Sequence, residues 1–377
     1  MIVILFISLL GILFYTYLGY PLVLLIGDII RKLLIPPQVI IQPLIFPPVS
    51  IVVIAYNEEK TLEKKILNCL SLTYPAKKQI IFVSDASTDR TSGLLKKYEK
   101  NLQYIILPER KGKVGAMNEA FPLCQGEIIF FTDATTLLAK EALTSLIPHF
   151  ANPKIGGVCG AIRFYSLPDK AEAYYWRYET WIRKKEAALS LLSIFSGALY
   201  AIRKKYLSPL PLWVSDDDFM ALCIVAAGDK IDYEPTPLAF ESETSEIEMK
   251  YINRVRSVHR AMATLVRFPF KKLTLPYLRL IFSALPHRFL KWTTGFMLIL
   301  LYTLNIFLTR DSFLRWFFLL QSFVLLVYLM LLIFPDIREK NSFFRMIYYI
   351  GRMLWAGMVG MLLGLKKQKS LFWTPQR

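Results

Sequence analysis

Asp133 closes the short apolar run EIIFFTDATT (residues 127–136), at a point where a buried strand would break into a loop. A carboxylate held at such a break is placed to bind a divalent cation, Mg or Mn, and with it a diphosphate. Three earlier stretches supply what such a site needs. SIVVIAYNEE (50–59) opens a strand into a loop with carboxylates at Glu58 and Glu59. VSDASTDRT (83–91) sets Asp85 at a strand end, and the small Ala86, Ser87 and Thr88 behind it let a planar ligand approach. RKGKVGAMNEA (110–120) places Lys111 and Lys113 in a glycine-containing turn before a helix, where ammonium groups and N-terminal amides together suit a diphosphate. Two carboxylates and a basic glycine turn describe a nucleotide site, with one acid for the base or ribose and the other for the cation.

Further along, VSDDDFM (214–220) sets Asp216, Asp217 and Asp218 side by side at the start of an apolar helix. Mutual repulsion raises the pKa of at least one of them, and a poised carboxylate is what deprotonating an acceptor hydroxyl requires. The plainer reading is a solvated helix N-terminus, where acids also belong. NRVRSVHR (253–260) concentrates Arg254 and Arg256, either to hold a leaving diphosphate or as a basic amphipathic helix on a membrane surface. YYWRYETWIRKKEAA (174–188), with Trp176, Glu179 and Arg183, reads equally as a brace on the acceptor side and as an aromatic membrane belt. SGALYAIRK (196–204) reads as a strand near the acceptor, where Gly197 allows close approach. His149 and His287 read as structural.

What positions these residues is an alternating pattern from Val49 to about Val266. Apolar, β-branched runs are separated by stretches with helical spacing, such as 58–70 and 88–98. Near-continuous apolar strands alternating with helices predict an α/β fold whose mostly parallel sheet is covered on both faces. In such sheets ligands bind beyond the carboxyl ends of the strands, and Asn57, Glu58, Asp85 and Asp133 all fall at such ends. No GxGxxG follows the first strand, so a dinucleotide-dependent dehydrogenase is not expected.

The flanks are of another kind. With 54% hydrophobic and 20% charged residues and a mean hydropathy of +0.39, the chain suits one globular domain plus a few membrane spans. Residues 1–27 carry no charged side chain and Arg31 and Lys32 follow, so 1–32 reads as a transmembrane anchor, not a cleaved signal, with the next domain in the cytoplasm. Pro36, Pro37, Pro43, Pro47 and Pro48 mark 33–48 as an extended linker. The cytoplasmic domain then occupies 49–267. In 268–377 we expect an interfacial helix over 276–292, spans at 292–309 and 316–335, and a last apolar segment at 343–365. Arg345 and Arg352 intrude on that segment, which favours a re-entrant or interfacial piece over a further span. The net charge of +17 crowds beside the apolar runs, so it suits anionic lipid and not nucleic acid. Four cysteines without CxxC spacing and three histidines argue against structural zinc. The cysteines read as small buried hydrophobes of a reducing compartment. The oligomeric state is not legible.

The ordered set of motifs resembles the family 2 glycosyltransferases of the GT-A fold, especially the membrane-attached branch of cellulose, chitin, hyaluronan and poly-N-acetylglucosamine synthases. The likeness covers about 49–262, and the Tyr17 to Pro21 end of the first helix fits it too. It implies that Ala55, Tyr56 and Glu58 line a uridine pocket, that Asp85 contacts the uracil or ribose, and that Lys113 lies near the diphosphate. Asp133 would match the first aspartate of the DxD motif, which binds a divalent cation on the nucleotide diphosphate. The motif reads Asp133-Ala134-Thr135 here, and threonine is a poorer ligand for a hard cation than carboxylate. The cation is therefore expected to be held weakly until the donor diphosphate arrives. The family's catalytic base would be Asp217, with Asp218 a rival. Polymer-making members carry QxxRW where this chain has Asn253 and Ser257, and losing the tryptophan removes an aromatic platform for the acceptor sugar. Arg254 and Arg256 remain. The resemblance implies an inverting enzyme that moves a sugar from a UDP-sugar to a hydroxyl of a lipid or polysaccharide, at the cytoplasmic face of the inner cell membrane. The alternative is a non-catalytic nucleotide-sugar-binding partner of a polysaccharide synthesis or secretion complex.

Overall fold

The computed structural model describes residues 1–35, 46–165, 170–241, 246–269 and 274–366. Most of the expected linker (36–45) and the basic tail from Lys367 lie outside the described residues. The chain forms two compact units, one taking in 27–241 and 267–282, the other 1–26, 246–266 and 283–366. The helix Ile247–Arg267, expected to close the globular domain, is thus grouped with the apolar helices.

The first unit is built on one sheet of eight strands: β1 Val49–Ala55, β2 Lys78–Ser84, β3 Gln103–Ile106, β4 Ile128–Phe131, β5 Leu137–Leu138, β6 Ile155–Phe164, β7 Tyr200–Arg203 and β8 Lys230–Glu241. Their spatial order is β3-β2-β1-β4-β7-β6-β8-β5. The half from β3 to β4 is parallel throughout, as the alternating apolar runs predict. Beyond it the sheet is mixed: β7 runs antiparallel to both β4 and β6, β6 pairs parallel with β8, and β5 is antiparallel to β8.

Successive residues of a strand point to opposite faces, and here both faces are buried. In β1, Ile51, Val53 and Ala55 join one core while Val52 joins the other. In β2, Ile80 and Phe82 face the first core and Ile81 and Val83 the second. That is why these strands read as unbroken apolar runs and not as alternation. The register pairs Ala55 with Ser84 and Val52 with Phe131. The chain therefore leaves β1, β2 and β4 along one edge, through Tyr56, Asp85 and Asp133. Because β2 and β3 lie to one side of β1 and β4 to the other, the crevice between β1 and β4 is the switch point where such sheets bind ligands.

Among the described residues, four helices are long and apolar enough to cross a membrane: Ile2–Leu34, Leu275–Ile306, Ser312–Ile333 and Ser342–Leu365. The interfacial helix expected over 276–292 is not a separate element. Leu275–Ala284 passes through a π turn, Leu285–Leu290, into Lys291–Ile306. The wider turn takes in Pro286, which has no N–H to give an α-helical bond. The final apolar segment, expected to be re-entrant or interfacial, forms one helix of 24 residues. Its intruding Arg352 pairs with Glu248 and stacks over Tyr251, 3.8 Å from the ring centroid, and Tyr348 donates to the same carboxylate. A charge answered in this way no longer bars a continuous helix. Gly360 and Gly364 lie against the backbone of Ile247–Arg267, where an added Cβ would stand 2.7 Å from Val255 O and 2.8 Å from His259 O.

Candidate active site

The loops after β1 and β2 hold each other. Asn57 and Ala86 take left-handed backbone, with φ of 54° and 52°. The Asn57 amide donates to Ser87 Oγ at 3.1 Å, and its side-chain oxygen accepts from Thr88 N at 2.8 Å. Glu58 N donates to Thr91 Oγ1 at 2.8 Å. Ala55 and Glu58 are turned inward instead of lining an open pocket: both are buried, and Glu58 Oε2 accepts from Thr61 Oγ1 at 2.7 Å. Tyr56 is the member of this group that meets the edge, with the Arg110 guanidinium 3.8 Å over its ring.

Asp85, expected to contact the uracil or ribose, already has protein partners. It is 2% exposed, and its two oxygens accept from Lys111 N at 2.7 Å and Gly112 N at 2.9 Å. The carboxylate thus ends the helix Gly112–Ala120 and takes two of the amides that the sequence offers to a diphosphate. Its role in these contacts is to set the turn that carries Lys113.

Lys113 is the centre of the cluster. Its Nζ lies 2.9 Å from Asp133 Oδ1 and 3.1 Å from Asp216 Oδ2. Burial works against its charge, but Asp133, Asp216 and Asp217 outweigh burial and hold it protonated, above the usual lysine range. Asp216 keeps 5% of its side chain exposed and Asp133 keeps 38%, so the first fixes the lysine and the second can meet a ligand. Tyr200 in β7, stacked between Phe131 and Phe195 with ring centroids 4.8 Å away on each side, brings its hydroxyl 3.4 Å from Asp216 Oδ2.

Asp217 stands at the start of the helix Asp216–Ala226. Its Oδ1 accepts from Ser215 Oγ at 2.5 Å and Asp218 N at 2.9 Å, so one oxygen serves the helix end. The other oxygen faces the cluster: a Cβ added at Gly197 would lie 3.3 Å from Asp133 Oδ2, 3.5 Å from Lys113 Nζ and 3.9 Å from Asp217 Oδ2. Asp217 is half-buried. Burial first, then repulsion from Asp218 and Asp216, push its pKa up to about 7, against Lys113 and Ser215, which favour the ionised form. Asp218 is buried.

Among the described residues, no group of three or more His, Cys, Asp or Glu side chains is placed to hold a metal by itself. The carboxylate that would meet a divalent cation arriving with a diphosphate is Asp133, which is 38% exposed and has Oδ1 on Lys113. Three carboxylates surround a single ammonium there, and Asp133 turns Oδ2 toward Gly197. One carboxylate with phosphate oxygens and water is a set that suits Mg or Mn.

Asp85, Lys113, Asp133 and Asp217 thus belong to one contact network or its supporting turn. Arg254 and Arg256 lie on Ile247–Arg267, in the other unit. Trp176 packs on Phe164 at 5.1 Å between rings and Glu179 meets Arg183 at 3.4 Å, contacts that brace the helix Lys170–Ala188. Asp216 stands in the run of three acids that the sequence singles out, but its hold on Lys113 shows only in the fold; Tyr200 carries no mark of its own in the sequence, and its part comes from the antiparallel pairing of β7 with β4.

Residues 50–208 match the family described as Glycosyl transferase family 2. This stretch is a glycosyl transferase family 2 domain. It spans the network from β1 through Asp133 and Gly197, and stops short of Asp217. Among curated relatives, the poly-beta-1,6-N-acetyl-D-glucosamine synthase of Staphylococcus epidermidis is 26% identical over 230 residues, 58% of this chain and 56% of its own. That of Staphylococcus aureus (strain COL) is 25% identical over the same shares. The chain therefore spans little more than half the length of the curated relatives it matches. Among solved structures, the mannosyltransferase PcManGT from Pyrobaculum calidifontis, in complex with GDP-Man and Mn2+, superposes with a TM-score of 0.70 at 23% identity. That match covers 96% of this chain and 100% of the other. The fold is GT-A, with apolar helices at both ends.

Proposed function

We propose that this chain is a membrane-bound inverting glycosyltransferase. It moves a sugar from a nucleoside-diphosphate sugar, with UDP-sugars the first class to test, to a hydroxyl of a lipid or polysaccharide at the cytoplasmic face of the inner membrane. The observation that carries this reading is the Asp217 carboxylate, with Oδ2 facing the Lys113–Asp133 pair beside Gly197 and a pKa raised by burial and its neighbouring acids, next to a stretch that matches the family 2 glycosyltransferases.

In this reading the donor lies across the ends of β1 and β4, with its diphosphate toward Lys113 and its base toward Tyr56. Asp133 would hold a divalent cation on the diphosphate, which when bound supplies charge neutralisation for the leaving group. Asp217 takes the proton of the acceptor hydroxyl as its oxygen forms the new bond to the anomeric carbon. The bond to the diphosphate oxygen breaks, and Lys113 faces the charge that develops there. Attack opposite the leaving group inverts the centre, so an α-linked donor gives a β-linked product. Asp217 serves as the base in preference to Asp218 because its second oxygen faces the Lys113–Asp133 pair.

The test is nucleotide release by the full chain, with and without membrane lipid, across UDP-sugars and GDP-mannose. GDP-mannose is included because the superposed mannosyltransferase is in complex with GDP-Man. Lipid-dependent release from one donor with a one-sugar lipid product supports single transfer, and a growing product supports polymerisation, the activity named for the staphylococcal relatives. No release from any donor contradicts the proposal.

A further inference from the structure

Lys65 is a charged residue without a place in the mechanism above, and it is entirely buried. It projects from the helix Leu62–Ser71 beneath the loop that carries Asp133. Its Nζ donates to Thr132 Oγ1 at 2.9 Å and to the carbonyl oxygen of Thr136 at 2.5 Å. These acceptors stand immediately before Asp133 and three residues after it, so one ammonium ties both ends of a five-residue loop. No carboxylate lies within ion-pair distance of it among the described residues. Burial lowers its pKa, while Cys69, Asp133 and Glu241 pull it toward the charged form. Glu241, at the end of β8, accepts from Thr136 Oγ1 at 2.7 Å and anchors the same end of the loop from the other side.

An ammonium sunk this deep costs stability unless its surroundings answer it. A methionine or leucine would fill the same space without that cost. The geometry accounts for a lysine here: the loop reads Thr-Asp-Ala-Thr-Thr, its one acid is Asp133, and a single donor with an acceptor at each end of the loop joins those ends to each other.

We propose that Lys65 is a positioning residue that clamps the 132–136 loop from inside, with Glu241 as its counterpart through Thr136, and so aims the Asp133 carboxylate at the donor diphosphate. The proposal rests on the glycosyltransferase reading of this site. Residues that orient a metal-binding carboxylate typically matter by about 10- to 100-fold in affinity or activity.

The test is a double-mutant cycle read by binding, in the detergent-solubilised full chain titrated with UDP or GDP in the presence of Mn2+. Lys65→Met should weaken nucleotide binding by about tenfold or more. In an Asp133→Asn background it should add less than about twofold, because the carboxylate it aims is gone. Thr132→Val, which removes one acceptor and leaves the lysine, should give a smaller loss in the same direction and replaces Lys65→Met if that variant does not fold. Equal losses with and without the Asp133 carboxylate, or no loss in the single variants, would overturn the proposal while leaving the glycosyltransferase reading intact. A wild-type chain that binds neither nucleotide overturns both.

Discussion

Replacing Lys113 by methionine separates two things that the lysine does, and the pH profile reads one of them alone. The ammonium faces the departing diphosphate, and it also lowers the pKa of Asp217, which burial and two neighbouring acids push up to about 7. The Cβ position beside Gly197 lies 3.5 Å from Lys113 Nζ and 3.9 Å from Asp217 Oδ2. The charges therefore stand within about 7 Å, where at an effective dielectric of about 20 their attraction is about 2 kcal/mol. That corresponds to roughly 1.5 pKa units. The open side of the cleft screens part of it, which leaves about one unit. The sign is fixed: a base loses its proton less readily once the nearby cation is gone. In the wild type kcat/KM should rise with pH through about 7. In Lys113→Met the rise should move up by about one unit, on top of a lower plateau from the lost phosphate contact. The assay is nucleoside-diphosphate release by the full chain across neutral pH. A rise that stays in place or moves to lower pH would refute the assignment of Lys113 as the electrostatic partner of the base.

Other outcomes follow from the same geometry. Gly197→Ala puts a methyl 3.3 Å from Asp133 Oδ2, tighter than an ordinary contact, so the cluster must shift. Turnover should fall by about tenfold with little change in the thermal midpoint, measured by nucleotide release and by melting. His149 sits between Asp232 at 2.8 Å and Glu234 at 3.1 Å. Burial opposes its charge, but the two acids outweigh burial and raise its pKa to about 9. The folded value lies above the unfolded one, so this stabilisation is complete below about pH 6.5 and fades as the pH rises through about 9. His149→Gln should flatten that part of the dependence of stability on pH, read by denaturant melts at several pH values.

The parallel half of the sheet was legible because β1, β2 and β4 are buried on both faces and so read as unbroken apolar runs ending in polar residues. The mixed half was not. Strand β7 has four residues, and its antiparallel place beside β4 depends on long-range pairing that no local pattern records. At the site, residue types disclosed the acids and the lysine but not which of their atoms are already engaged. Asp85 reads in sequence as a contact for uracil or ribose, and its carboxylate is already closed on two backbone amides, because a helix end needs an acceptor at that point. Nothing local marks Lys65 in the sequence; its burial shows only when the 132–136 loop is folded over it. Arg352 looked too charged for a continuous apolar helix, since its partner Glu248 lies 104 residues away in sequence.

The central claim is that Asp217 is the base of a sugar transfer and not only a helix cap. Asp217→Asn keeps the shape and can still serve the helix end through its amide oxygen, but it cannot take a proton. Nucleotide binding and nucleotide release should be measured on the same preparation of this variant. The account predicts binding within about twofold of wild type and release lowered by about a hundredfold or more. Undiminished release would contradict it.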